Sequence, residues 1–428
     1  MLNFPREACK HTNGLEAFKM TASTSFEAMD FYPEFQCIGS ECEFNCCNSW
    51  SIDIDEKTHN KYKEHDRIFD TNICHEIITT SKRTEFKLKD DGNCPQLQSN
   101  GLCSIVCDIG PEALSKTCQT YPRQSRHYIE RKSYLLFLSI SCPEASRMAI
   151  FRQKKLETIN LRNSSVLFDK NIPSVNLSGG TRQHELTINA IDRKLIDIIQ
   201  LRKVSIKRRL ATLIVLASIA TKTNAQNNTN AAALLLEEAN KTYKKNLDNI
   251  PELPENRLNQ FITMIELSKT VLSTKTHSVE KGEHEAFTSL FATSFNGLGI
   301  SNLNRVNKES FELYNTQYEK ATKKYFDDKP YIIENLVSYH LMKDSIFFQE
   351  GLSPIDAIIK LMAYILMILG LSPGHSIQNG KIKDDDINRA IFLLHRRIEH
   401  SKGLRKNLTR KCKELSDFNI GQLYTFIA

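Results

Sequence analysis

Two regimes of hydrophobic patterning divide this chain of 428 residues. From Leu186 onward, apolar residues recur at helical spacing. Ile191, Leu195, Ile198 and Ile199 form one stripe, Ile206, Leu210, Leu213, Ile214 and Ala217 a second, and Leu258, Phe261, Ile262 and Ile265 a third. Ile332, Leu336 and Val337 lead another. Ser353-Pro354 reads as an N-cap with proline in the first helical turn, and the apolar run behind it is expected to end near Gly370, with Pro373 just beyond. A last stripe, Ile387, Ala390, Ile391, Leu394 and Ile398, follows Asp384, Asp385 and Asp386, which suit the positive end of a helix dipole. Residues 185–428 are therefore predicted to be an all-helical domain.

The first third reads differently. Residues 1–28 are polar without clear periodicity and read as a flexible N-terminal extension. Ser51 to Asp55 alternates like a short strand, and residues 56–90 look like helix and polar connection. Pro95, Gly101, Pro111, Pro122 and Pro143 break up the stretch that follows. Residues 163–184 are polar and glycine-bearing, which predicts a linker. The expected architecture is mainly α: a loop-rich module over 29–162, the linker, and the helical domain.

Cysteine placement sharpens the picture of the irregular part. Of twelve cysteines, nine fall in two bursts: Cys37, Cys42, Cys46 and Cys47, then Cys94, Cys103, Cys107, Cys118 and Cys142. The start of the chain has no apolar core of a secretory signal. Leu210 to Ala220 and Leu361 to Leu371 are each too short to cross a bilayer, so they read as buried helices and no membrane span is expected. The expected location is the cytoplasm, where thiols stay reduced, which favours metal over disulfides. Gly39 permits a tight turn near such a site. A helix through the first burst would set Cys42 and Cys46 on one face and turn Cys47 about 100° away. The spacings match neither paired zinc-finger cysteines nor bacterial ferredoxin runs, so zinc and iron–sulfur both remain open at this point.

Other signals are weak. Gly297 and Gly299 lack the third glycine of a dinucleotide-binding turn, and Thr288 stands where a zinc-protease helix beginning at His284-Glu285 needs histidine. The formal charge of +7 is mild for this length. The basic run Lys203, Lys207, Arg208 and Arg209 reads as a solvated helix face, and no aromatic residues interleave it, so no nucleic-acid partner is expected. Trp50 reads as a core anchor.

The segments CIGSECEFNCC with Trp50, CP-x-L, GLCSI, TC-x-TYPR and SCPEA resemble the bacterial flagellin lysine-N-methylases, whose cysteine-rich half belongs to a zinc- or iron-chelating group. The likeness is strong over residues 31–147 and continues more loosely through Arg202 to Leu210, Glu334-Asn335-Leu336 and Arg397-Ile398-Glu399-His400. It implies a cytoplasmic enzyme that moves methyl groups from S-adenosylmethionine to lysine side chains of flagellin, with a [4Fe–4S] cluster implicated and zinc as the alternative. It carries the metal-binding role onto Cys37, Cys42, Cys46, Cys47, Cys94, Cys103, Cys118 and Cys142, a subset of which would ligate the cluster. Tyr121 and Arg123, beside Cys118, are candidates for touching the cofactor. Two departures from the family pattern, Asn48-Ser49 before Trp50 and Gln96 after Pro95, put local turn geometry in question. The alternatives are a zinc-stabilised interaction module without catalysis and an iron–sulfur redox protein.

Overall fold

The computed structural model describes residues 24–48, 52–69, 71–81, 83–161, 172–251, 255–274, 281–399 and 401–415. Cys9, Trp50 and most of the expected N-terminal extension lie outside them. The molecule is mainly helical, as the periodicity predicts, but the N-terminal third is built on a sheet that the pattern does not announce. Strands β1 (Ser25–Met29), β2 (Ile77–Thr79), β3 (Thr84–Phe86), β4 (Arg123–Tyr128), β5 (Ser133–Leu138), β6 (Thr158–Asn160) and β7 (Ser174–Leu177) form one sheet of order β6-β1-β5-β4-β7 and a separate β2-β3 pair. β4 and β5 are an antiparallel hairpin, and β1 runs parallel to β5 with Ser25 opposite Ser133. β5 is buried at every position from Leu135 to Leu138, so both of its faces are apolar there and it shows no alternation to read.

Two boundaries shift accordingly. Ser25 to Ala28, expected in the extension, form with Met29 an inner strand whose Phe26, Ala28 and Met29 are buried. Ser174–Leu177, within the expected linker, closes the other edge of the sheet by pairing with β4. Long-range pairing decided both, and neither segment carries a local signal strong enough to show it. Ser51 to Asp55 is extended over its described residues. Ile52 and Ile54 are buried around exposed Asp53, although only a single bridge, Asp53 to Glu85, joins it to β3.

The helices are α1 (Glu56–Phe69), α2 (Ser104–Asp108), α3 (Lys116–Thr120), α4 (Pro143–Ile150), α5 (Arg182–Ile199), α6 (Ile206–Lys222), α7 (Thr229–Lys244) and α8 (Arg257–Ser273). They continue with α9 (Lys281–Gly297), α10 (Lys308–Gln317), α11 (Lys324–Asp328), α12 (Tyr331–Asp344), α13 (Pro354–Asn379), α14 (Asp384–Glu399) and α15 (Lys402–Leu415). Every stripe named above falls on one of them. α13 opens with the expected cap, a reciprocal pair of bonds between Ser353 and Asp356. It does not stop at Gly370. It passes through Pro373 to Asn379 and ends on Gly380 in the left-handed conformation, φ 73°. The hydroxyls of Ser372 and Ser294 donate to the carbonyls of Ile368 and Leu371 around the proline, at 2.7 and 2.8 Å. At 26 residues α13 is long and apolar enough to cross a membrane by length and composition, but 89% of its most apolar window is buried inside the protein. It is the axis of the core.

That core is continuous across the boundary expected near residue 163. One cluster of buried side chains runs from Phe26 on β1 through β5, α5, α6, α12 and α13 to Cys412 on α15. A second, smaller core stands apart: Ile52, Ile54, Tyr62, Ile73, Phe86, Ile105, Val106 and Leu114, with cysteines packed around it. The cysteine-bearing loops are laid between these two cores.

Candidate functional site

The two bursts of cysteines meet at one cleft. The cleft is small, with a cavity volume of about 70 Å³. Cys37, Cys42, Cys46, Cys118 and Cys142 line it, together with Phe35, Phe44, Tyr121, Arg123 and Arg396. Cys47, Cys94, Cys103 and Cys118 pack in and around the satellite core behind it. Cys118 belongs to both settings. Cys107, outside the expected ligand set, neither lines the cleft nor packs against the satellite core.

The first burst is not the helix expected of it. Gly39–Glu41 is a single 3-10 turn entered through Gly39 at φ 56°, and Cys42 is already extended. Turns, not an i,i+4 helical face, bring Cys42 and Cys46 to the same cleft. The adjacent pair nevertheless parts as anticipated: Cys46 lines the cleft and Cys47 turns to the satellite core. The two loops are joined by backbone. Cys94 N–H donates to the Cys47 carbonyl at 2.7 Å, and Asn48 bridges to Asn93 with a side-chain bond of 2.7 Å. Both departures from the family pattern have a role here. Asn48 makes that bond, and Gln96 binds Ser104 through side chain and backbone at 2.7 and 2.8 Å, closing the loop between Cys94 and Cys103.

Several sulfurs are met by backbone N–H groups two or three residues downstream. Gly39 N–H donates to Cys37 Sγ at 3.4 Å. Phe44 serves Cys42, Gln96 serves Cys94, Ile105 and Val106 serve Cys103, and Glu144 and Ala145 serve Cys142. Ser115, the N-cap of α3, bonds Cys118. Cys103 and Cys142 occupy the N-cap positions of α2 and α4. Such donors stabilise negative sulfur. Without a metal, burial dominates: it pushes Cys42 up to about 11 and Cys94 up to about 12, and raises Cys142 further. Cys46 is the exception, lowered to about 7 because the Cys47 thiol donates to it and the Arg396 guanidinium stands near. Among the described residues no disulfide joins these cysteines, and no group of three or more His, Cys, Asp or Glu stands close enough to hold a single metal ion.

Tyr121 and Arg123 both line the cleft. Tyr121 Oη lies 3.1 Å from Ser141 Oγ, which lies 2.8 Å from Ser139 Oγ. Arg123 is buried at the start of β4, with its guanidinium over the rings of Phe35 and Tyr32 and a 3.4 Å bond to the Phe35 carbonyl. Arg396 comes from α14 and carries no signal in the sequence. It sits in the last turn of an amphipathic helix, where arginine is ordinary, and only the fold turns it inward. It donates to the Ser141 carbonyl at 2.9 Å and lies over the Phe44 ring.

The helical half thus holds the thiol loops in place. Tyr339 on α12 donates to the Leu138 carbonyl at 2.9 Å, Asn335 donates to the carbonyls of Ile150 and Arg152, and Asn388 on α14 to that of Pro143. These bonds brace the segment that carries Cys142 from both sides.

A profile described as the FliB lysine N-methylase C-terminal domain matches residues 193–426, more than half of the chain. The chain belongs to this family. It is 35% identical over 122 residues to the flagellar biosynthetic protein FliU of Salmonella muenchen, covering 27% of this chain and 71% of that protein. It is equally similar, over the same length, to the lysine-N-methylases of Salmonella typhimurium strain LT2 and Salmonella choleraesuis strain SC-B67, but there the match spans only 30% of each relative. No solved structure matches. The looser motifs of the family have structural counterparts in this member. Arg202 and Arg209 both bind buried Glu334 at 2.8 Å, and Glu399 pairs with Lys343 at 2.8 Å. Arg209, expected on a solvated face, is instead almost fully buried.

Proposed function

We propose that this family member methylates lysine side chains of flagellin in the cytoplasm, with S-adenosylmethionine as donor and a [4Fe–4S] cluster held at the cysteine cleft. The observation that carries this reading is the convergence of cysteines from Cys37 to Cys142 on one cleft that also presents Tyr121 and two guanidiniums. The donor set fits a thiolate-bound group: all ligands are soft, and N–H groups are already aimed at their sulfurs. Zinc is the weaker alternative. A single tetrahedral zinc ion needs sulfurs about 4 Å apart, given Zn–S bonds of about 2.3 Å, and the described cysteines are not drawn to one point. A multinuclear cluster spreads its metal atoms and accepts wider spacing.

Cys37, Cys42, Cys46 and Cys142 are the residues that would hold the cluster at the cleft. Cys118 lines the cleft and also packs on the satellite core, where it would hold a second metal with Cys47, Cys94 and Cys103. When bound, a cluster supplies Lewis-acid or redox chemistry at the cleft. The chain's own part is clearer. Methyl transfer needs a neutral amine, since an ammonium has no lone pair. Apolar walls from Phe35, Phe44 and Leu114, and the positive charge of Arg123 and Arg396, would lower the pKa of an entering lysine amine. Holding that amine in line with the sulfonium methyl is then mainly a matter of position.

The test is methyl incorporation into purified flagellin by anaerobically prepared, full-length protein, read as mass increments located on lysine by peptide mapping. Methylated lysines that disappear with Cys42→Ser or Cys142→Ser, together with iron, are the expected result. Iron-loaded protein that transfers no methyl group to flagellin would overturn the reading.

A further inference from the structure

Two guanidiniums face one cleft from opposite parts of the fold. Arg123 arrives from β4 in the sheet and Arg396 from α14 in the helical half, and each is only 6% exposed. Both are held from behind in the same way, by an aromatic face and a backbone carbonyl: Phe35 for Arg123, with its centroid at 5.2 Å and its carbonyl at 3.4 Å, and Phe44 with the Ser141 carbonyl for Arg396, at 4.7 and 2.9 Å. Tyr121 Oη, 3.5 Å from Arg396 Nη2, lies within the same wall. The carboxylates of Glu43 and Glu144, each next in sequence to a cleft cysteine or proline, are engaged by Arg147.

We infer that Arg123 and Arg396 form a clamp for the carboxylate of the amino-acid moiety of S-adenosylmethionine. This rests on the methyl-donor reading above and adds to it which end of the donor is recognised, and by what. Planar guanidiniums match carboxylates through paired N–H bonds, and a guanidinium whose plane is fixed by stacking loses little freedom on binding. The thiols of Cys46 and Cys37 lie near Arg396 and Arg123, and a carboxylate entering the cleft would add a further counter-charge to these two buried cations. The carboxylate is the one anionic group on the donor. Recognition at that end leaves the sulfonium and its methyl directed to the rest of the cleft, where the amine must arrive. Arg396 is thereby a binding residue contributed by the half of the chain that has no cysteine motif, so the two halves make one site.

The experiment compares two nucleosides on the full chain, prepared anaerobically with its metal. S-adenosylhomocysteine carries the amino acid, whereas 5′-methylthioadenosine keeps the nucleoside and sulfur without it. Titration calorimetry should show the first binding roughly ten- to a hundredfold more tightly, the range for losing a charged hydrogen-bonded contact. Arg396→Ala and Arg123→Ala should erase that preference while leaving methylthioadenosine affinity, iron content and the absorption spectrum unchanged, and Arg396→Lys should restore part of it. Equal binding of both nucleosides to the unaltered protein overturns the clamp but leaves the donor reading standing. So do variants that weaken both nucleosides equally, or that change only the metal spectrum, which would assign the arginines to thiolate charge. If neither nucleoside binds, the donor reading itself fails and the clamp with it. The comparison on the unaltered protein is decisive even where a variant does not fold.

Discussion

Asp192, on the inner face of α5, is a carboxylate in the wrong surroundings. Burial pushes its pKa up to about 7, against the opposing pull of the Ser345 hydroxyl and Arg131, and Oδ1 has no hydrogen-bond partner. Its folded value lies above the unfolded value of about 3.9. The folded state therefore holds a proton that the unfolded chain releases, and stability falls as pH rises between those two values. Asp192→Asn should raise thermal stability at about pH 8, on the order of 2 kcal/mol, with the gain fading towards about pH 4. Melting curves across that range check it, and a pH-independent difference would point to packing instead. The neighbouring charge cluster behaves in the opposite sense. Burial alone would raise the Glu399 carboxyl, but Lys343 beside it holds it well below the usual range, and Asp344 is likewise held low by Lys343, His340 and Arg126. The long-range partners among these, Lys343 for Glu399 and Arg126 for Asp344, are not legible in sequence. Lys343 lies 56 positions from Glu399, and an isolated lysine in a helix reads as solvated. The thiols were legible because nine of the twelve cysteines crowd into two short stretches, a grouping visible without any knowledge of the fold.

At the level of elements, α13 shows how tertiary contact overrides a local stop signal. Gly370 and Pro373 read as the end of the helix. Yet Gly370 admits Met264, and Gly374 lies against α9 so closely that a Cβ there would come within 1.9 Å of the Ser294 carbonyl oxygen. A Cβ on Gly297, one of the two glycines that fall short of a dinucleotide-binding turn, would meet the Gly374 carbonyl at 2.1 Å. The small residues are packing surfaces, not ends. Gly374→Ala should force α9 and α13 apart and destabilise by roughly 2–4 kcal/mol. Gly380→Ala, where nothing lies within 4 Å but φ is 73°, should cost only about 1 kcal/mol. Urea unfolding of both variants tests the order, and equal losses would show that the close approach is easily relaxed. β1 and β7 are the converse case. Five and four residues long, they carry too little pattern to be recognised until β5 and β4 pair with them.

For the molecule as a whole, the two cores respond differently to metal on the proposed reading. The main core is large, continuous and independent of thiol chemistry, whereas the satellite core is small and ringed by cysteines. Structural metal can contribute roughly 10 kcal/mol or more to a loop-rich unit. Chelation should therefore speed amide hydrogen exchange over residues 72–118 while leaving α5, α12 and α13 protected. Uniform protection in both states would mean that the satellite core stands without metal, and uniform loss would mean that the cores are one cooperative unit.

The sequence by itself determined the helical half and the gathering of thiols as a chemical theme. Apolar residues at a period of 3.6 need no partner to declare a helix, and nine clustered cysteines stand out wherever they fold. What only the tertiary structure decided was which residues share a site. The sheet, the continuity of the core across residues 163–184, the parting of Cys46 from Cys47 into two environments and the arrival of Arg396 all depend on contacts between segments up to hundreds of positions apart. Such contacts leave no local period or spacing to read, because their stabilisation appears only once both partners are buried against each other.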